Sequence, residues 1–245
     1  MRNIVDRAKT GVPGLDKLIE GGFPRGATIT VTGPPGTGKT TLSAQFIYKG
    51  VELYNEPGVV VLLEERPQDF RREMLGFGWD FQKYEDAGKV IIIDGISSSV
   101  GIPSTEKFVL EEGLSVDEFL RYIYRAIKAI GAKRLVIDSI PSVSSLMSYE
   151  GDIRNMILKL NILLAEMGVT SVLVSEVTSL DSGKLSRYEV EEFLSKGVIQ
   201  LGYITGKMEL KRYILIRKMS QTMHSLRLHP LEVTKSGLVV YPEGL

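Results

Sequence analysis

Apolar residues fall along this chain in two alternating patterns. Short β-branched runs, Ile29–Thr32, Val59–Leu63, Val90–Ile93, Leu135–Ile137 and Ser171–Val174, are bounded by glycine or polar residues. Near-continuous runs of that length suit strands of a parallel sheet that is covered on both faces. Between them the spacing becomes helical. Ala44, Ile47, Val51 and Tyr54 mark one stripe, and Val116, Phe119, Leu120, Ile123, Ile127 and Ile130 mark a second. A third runs through Ile153, Met156, Ile157, Leu160, Leu163, Leu164 and Met167, with Gly168 as its stop. Ser115 and Glu118 have the spacing of a capping box at the head of the second stripe.

Strand and helix alternate up to about residue 175, which predicts right-handed βαβ crossovers around a central sheet. Beyond that point Val198–Leu201, Tyr213–Ile216 and Leu238–Tyr241 read as later strands with short connections, so the sheet is expected to end in antiparallel strands. Two polar, poorly periodic stretches, residues 95–113 and 178–189, read as mobile loops. No linker marks a boundary, and the whole span 1–245 is expected to form one domain.

Composition narrows the chemistry. The chain has no cysteine, which removes disulfides, thiolate nucleophiles and cysteine-held metals. Lys plus Arg and Asp plus Glu number 30 each, so the basic excess of a protein gripping DNA through its phosphates is missing. The residues from Met1 to Lys9 lack a signal peptide's apolar stretch, and no run approaches the roughly 18 apolar residues needed to cross a bilayer. A cytoplasmic protein with no membrane partner is the expectation.

Gly33-Pro34-Pro35-Gly36-Thr37-Gly38-Lys39-Thr40 fits the P-loop pattern, between the strand Ile29–Thr32 and a helix expected to open at Lys39. Glycines let such a backbone curl so that its N–H groups meet phosphate oxygens, and the helix N-terminus adds its positive end. Lys39 is assigned to the β- and γ-phosphates, Thr40 to Mg²⁺ and Thr41 to the α-phosphate. About 100 residues on, Leu135–Ile137 is followed by Asp138, a carboxylate at the strand's carboxyl end that could hold the Mg²⁺ hydration shell. Glu64 and Glu65 follow Val59–Leu63, taken as the strand beside the P-loop strand. Water attacking a γ-phosphate needs an oriented proton acceptor, and alternation lets only one of two successive glutamates face it. Glu64 is assigned as that base and Glu65 as its electrostatic neighbour.

Several segments together resemble KaiC-like proteins of the RecA/RadA superfamily. They are Thr10-Gly11-Val12-Pro13-Gly14-Leu15-Asp16-Lys17-Leu18, Gly21-Gly22-Phe23-Pro24-Arg25-Gly26, the P-loop, Glu64-Glu65-Arg66-Pro67-Gln68-Asp69, and Phe77-Gly78-Trp79-Asp80. Ile137-Asp138-Ser139, Val190-Glu191-Glu192-Phe193 and the tail from Arg217 to Pro242 complete the set. The resemblance implies a RecA-like α/β fold, ATP as the nucleotide, a paired-glutamate element, and a hexameric ring with ATP between subunits. In that family a tail of the form K-x-R-G-T-x-H reaches ATP on a neighbouring subunit. Here the tail reads Lys218-Met219-Ser220-Gln221-Thr222-Met223-His224. Lys218, Thr222 and His224 match, whereas Ser220 stands where the pattern has arginine. Arg217 is nearby but on the wrong parity for a straight strand.

The function implied is slow Mg²⁺–ATP hydrolysis that switches the shape of a ring and acts on a protein partner. The alternatives are a nucleotide-gated scaffold, a kinase or autokinase in which Glu64 activates a hydroxyl, and a recombinase-like protein on single-stranded DNA. Ser175-Glu176 could sense the γ-phosphate. Trp79 reads as core, and Ser97–Ser99 and Ser142–Ser145 as loop residues.

Overall fold

The computed structural model describes residues 5–146, 153–177, 194–205 and 209–244. Near the N-terminus β1 (Arg7–Ala8) and β2 (Phe23–Pro24) form a small antiparallel pair around the short helix α1 (Leu15–Leu18). The alternating part follows as β3 (Thr28–Gly33), α2 (Lys39–Tyr54), β4 (Gly58–Leu62), α3 (Pro67–Leu75), α4 (Phe81–Asp86) and β5 (Val90–Asp94). It continues with β6 (Phe108–Val109), α5 (Val116–Ile130), β7 (Arg134–Asp138), α6 (Ile140–Leu146), α7 (Ile153–Glu166) and β8 (Thr170–Glu176). The chain closes through β9 (Gly197–Thr205), β10 (Leu210–Met219), β11 (His229–Thr234) and β12 (Gly237–Val240).

The main sheet has the order β12-β11-β10-β9-β3-β8-β7-β4-β5-β6. From β9 to β6 every pairing is parallel, and β10, β11 and β12 are added antiparallel. The sequence predicts this mostly parallel sheet with an antiparallel C-terminal edge. One neighbour differs from the expectation. β4 is not beside the P-loop strand, because β8 and β7 lie between them. Consecutive strands joined by a helix need not pair, and here later strands of the chain fill the gap.

Each face of the sheet carries its own core. On one face α2 packs through Leu42, Phe46, Ile47 and Val51, together with Trp79, Phe70 and Phe81. On the other, α5, α6 and α7 pack through Phe119, Ile123, Val143, Met156 and Leu160. Full burial of a side chain such as Phe46 contributes about 1.5–3 kcal/mol. Ser115 and Glu118 form the capping box of α5, Ser115 N donating to Glu118 Oε2 at 2.8 Å and Glu118 N to Ser115 Oγ at 3.3 Å. Trp79 lies in the core, as read from the sequence. Tyr54 departs from its stripe, for it sits at the end of α2 and is exposed.

Residues 95–113 are more ordered than a polar loop suggests. Asp94, at the end of β5, accepts bonds from the backbone of Ile96 and Ser97 and from the hydroxyls of Ser97 and Ser104, at 2.6–3.1 Å. The same stretch contributes β6. Ser97 and Ser104 satisfy a buried carboxylate, which is why polarity here marks packing rather than exposure. Residues 178–189 and Val190-Glu191-Glu192-Phe193 lie outside the described residues.

Candidate functional site

The P-loop joins the end of β3 to the first turn of α2. Gly33 approaches the Leu201 carbonyl so closely that a Cβ would collide with it, and Gly38 caps α2 at φ 103°, in the left-handed region that glycine favours. Inside the loop Thr37 Oγ1 donates to Pro34 O at 2.8 Å. Lys39 is folded back, its Nζ donating to Gly33 O at 2.9 Å and Pro34 O at 3.1 Å. Glu176, ending β8, stands 3.9 Å from the same ammonium. Burial lowers the Lys39 pKa, while Glu176, Asp138 and Glu64 oppose that shift. Pro35 and Gly36 form the outer bend, and Thr41 is buried in the first turn of α2.

Thr40 and Asp138 meet. Thr40 Oγ1 donates to Asp138 Oδ2 at 2.7 Å, although 98 residues separate them. Burial pushes the Asp138 carboxyl up to about 6, with the Thr40 bond and Lys39 acting against burial and Glu64 adding to it. A buried carboxylate beside a hydroxyl, at a P-loop, fits a divalent cation, which would restore the charge balance that burial disturbs.

The paired glutamates diverge, as alternation demands. Glu64 turns toward β7 and α6, its Oε1 accepting from Ser139 Oγ and from Ser142 Oγ, the latter at 2.7 Å. Leu63 N donates to Asp138 O at 2.8 Å, which ties the end of β4 to that of β7. Glu64 thus comes to the Thr40–Asp138 pair across β7, not from a strand adjacent to β3. Glu65 turns toward α3, where burial pushes its carboxyl up to about 7, helped by Glu73, Asp138, Asp69 and Glu64.

The tail residues lie elsewhere. β9 is parallel to β3, with Val198 level with Thr30, and β10 returns antiparallel with Lys218 opposite Val198. Lys218 is therefore about 10 Å of strand rise short of Gly33, and the chain beyond it runs further from the loop. Thr222 accepts from Arg7 Nη1 at 3.0 Å and donates to Ser220 O at 3.1 Å, and His224 Nδ1 is 3.2 Å from Ser225 O. Lys218, Thr222 and His224 do not join Lys39 and Asp138 within one chain.

Three features were not read from the sequence. Ser139 and Ser142 orient Glu64, although the serines at 142–145 read as loop residues; Ser142 belongs to α6. On the outer side of the P-loop, Arg212 Nε donates to Gly36 O at 3.1 Å and Tyr203 OH to Pro35 O at 3.4 Å. Tyr203 and Arg212 are directly opposite across β9 and β10. Only that pairing brings a residue of β10 to residue 36, and the available signal was the hairpin register.

The KaiC ATPase family model matches residues 8–244. A UPF0273 protein of Pyrococcus furiosus is 36% identical over 241 residues, covering 98% of this chain and 96% of its own. The circadian clock oscillator protein KaiC of Parathermosynechococcus lividus is 33% identical over 240 residues, which is 98% of this chain but 43% of that protein. The crystal structure of a KaiC-like protein from Pyrococcus horikoshii OT3 superposes with a TM-score of 0.84 at 54% identity, covering 98% of this chain and all of that one. No helix among the described residues is long and apolar enough to cross a membrane. A P-loop, a buried Asp138 beside Thr40, and agreement over nearly the full length lead to one conclusion: the chain belongs to the KaiC ATPase family.

Proposed function

We propose that this protein binds Mg²⁺–ATP and hydrolyses it slowly at interfaces between its own copies, assembled as a ring, six-membered by resemblance, whose shape responds to turnover. The observation that carries the reading is the convergence of Lys39, Thr40, Asp138 and Glu64 at one end of the sheet. Thr40 and Asp138 would hold Mg²⁺, which when bound would offset phosphate charge. Lys39 would exchange the Gly33 and Pro34 carbonyls for β- and γ-phosphate oxygens. Glu64, oriented by Ser139 and Ser142, would accept a proton from water. The water oxygen bonds to the γ-phosphorus, the bond to the β–γ bridging oxygen breaks, and its electron pair leaves with ADP.

The distance of Lys218, Thr222 and His224 from their own P-loop supports a site shared between copies. A contact between the P-loop end of one copy and the tail of the next joins different surfaces. Such a heterologous contact closes into a ring when the rotation allows. Ser220, which offers no guanidinium, favours a second reading, a nucleotide-gated scaffold with negligible turnover that recruits a protein partner. Steady-state phosphate release with Mg²⁺–ATP, alongside Lys39→Ala and Glu64→Gln, on material sized by light scattering, separates the two. Turnover abolished by either change in a large assembly supports the ATPase; tight ATP binding without turnover supports the scaffold.

A further inference from the structure

β10 is not a straight strand. Its residues in the core beneath α2 are Ile214, Ile216 and Met219, so a step of two becomes a step of three. The cause is a bulge. Ile216 pairs with Ile199 and Lys218 with Val198, which leaves Arg217 as the extra residue. In an unbroken strand Arg217 and Lys218 would point to opposite faces. With the extra residue inserted, Arg217 points away from the side of Ile216 and Lys218 away from the side of Met219. Both cations therefore share the face that does not carry α2, and Ser220 follows Met219 back to that side. The parity that separates Arg217 from the tail motif in a straight strand is removed.

Arg217 is exposed, and its side chain makes no hydrogen bond or ion pair among the described residues. Its charge opposes the rise that burial gives the Tyr213 hydroxyl, consistent with a guanidinium on the Tyr213 side of β10. It does not serve its own P-loop, because it sits beside Lys218 in β10, two strands away from β3 and about 10 Å of strand rise short of Gly33.

We infer that Arg217 supplies a guanidinium to the γ-phosphate of ATP held by the P-loop of a second copy, in place of the arginine missing at Ser220. This rests on the shared-site reading above. A guanidinium stays charged and presents a planar fork of donors that matches phosphate oxygens. Bound across an interface, it offsets the charge that shifts toward the bridging oxygen as the bond to ADP breaks. The loss of such an arginine costs about 10³–10⁵ in turnover in phosphoryl-transfer enzymes that use one. The bulge thus does with a neighbouring residue what the family pattern does with position 220.

The test uses the full chain as wild type, Lys39→Ala, Arg217→Ala and Arg217→Ala/Ser220→Arg. The readouts are phosphate release, affinity for a fluorescent ATP analogue, and assembly mass by light scattering. Arg217→Ala should lower turnover by at least ~100-fold, with unchanged mass and only a few-fold change in affinity, and Ser220→Arg should restore much of the loss. Co-expressed Arg217→Ala and Lys39→Ala chains should regain activity that neither has alone, since about a quarter of random interfaces then carry both intact parts. Turnover of Arg217→Ala within about threefold of wild type, with Lys39→Ala inactive, overturns this inference and leaves the ATPase reading standing. Loss of activity together with loss of assembly mass, and no recovery on co-expression, assigns Arg217 a structural role and also overturns it. No turnover by the wild-type chain overturns both.

Discussion

Thr40 Oγ1 donates to Asp138 Oδ2 at 2.7 Å, joining the first turn of the P-loop helix to the end of β7. The pair carries an electrostatic cost, because burial, with Glu64 and Glu176 adding to it, holds the Asp138 carboxyl up at about 6. Asp138→Asn should therefore leave the nucleotide-free protein as stable or more stable by on the order of 1 kcal/mol at pH 8. The same change should shrink the thermal stabilisation conferred by Mg²⁺–ATP and leave that conferred by ATP with EDTA. Thermal melts in the two buffers decide it: a full Mg²⁺-dependent gain in Asp138→Asn would remove Asp138 from the metal site.

Glu65 gives a pH signature of stability. Its carboxyl is raised from an ordinary 4.5 to about 7 by burial and by Glu73, Asp138, Asp69 and Glu64. The folded state then holds a proton that the unfolded state has released, so stability is full below about pH 4.5 and falls as pH rises toward 7. The loss should amount to on the order of 1–2 kcal/mol after screening of a partly exposed group. Glu65→Gln should remove that slope and stabilise the protein at pH 8. Urea unfolding of both proteins at pH 5 and pH 8 measures the difference, and parallel pH dependence in the two would contradict it.

Ser142 bears on the orientation of Glu64 more than on its presence. The Ser142 hydroxyl holds Glu64 Oε1 at 2.7 Å, alongside Ser139. Ser142→Ala should lower kcat by roughly 3–10-fold with little change in KM, whereas Glu64→Gln should cost roughly 100-fold or more. Equal, small effects from the two changes would mean that Glu64 is not the proton acceptor.

Some of this site is legible in the sequence because its parts are local. The P-loop is eight consecutive residues, the capping box of α5 spans Ser115 to Glu118, and Asp138 ends an obvious apolar strand. What could not be read is what depends on strand order. Nothing near Glu64 says that β7 and β8 will separate its strand from β3, because that order depends on which crossovers pack best. Arg212 reaches Gly36 only through the register of β9 with β10, and the bulge at Arg217 shows itself only in the pairing of Ile216 and Lys218. The polar stretch 95–113 misleads for a related reason: the hydroxyls of Ser97 and Ser104 answer a carboxylate, Asp94, that is itself buried.

Arg134 is a structural counterpart to these charges. It is fully buried, its Nε donates to Glu56 Oε2 at 2.8 Å, Nη1 donates to Phe46 O at 2.8 Å, and its guanidinium lies 4.4 Å from the Phe46 ring centre. Glu56 also receives Arg25. Glu56→Ala leaves a buried guanidinium without its carboxylate and should destabilise the fold by about 3 kcal/mol. Chemical denaturation reads this directly. A change below about 0.5 kcal/mol would mean that solvent or Tyr54 satisfies Arg134 in its place.

Glu176 should oppose nucleotide binding before any chemistry. Lys39 is held by two P-loop carbonyls and faces the Glu176 carboxylate at 3.9 Å. An arriving triphosphate must take Lys39 from those carbonyls while bringing negative charge toward Glu176. The carboxylate therefore competes for the lysine and repels the ligand, both of which weaken binding. Because its side chain is 38% exposed, solvent screens the repulsion, and removing the charge should tighten ATP binding by only about threefold to tenfold. Glu176→Gln is the variant, since it keeps the shape and drops the charge. Titration with ATP at low and high salt should show the gain shrinking as ionic strength rises, and the gain should be smaller for ADP, which brings less charge to the lysine. Unchanged or weaker ATP binding in Glu176→Gln would instead mean that Glu176 holds Lys39 in the geometry that ATP needs.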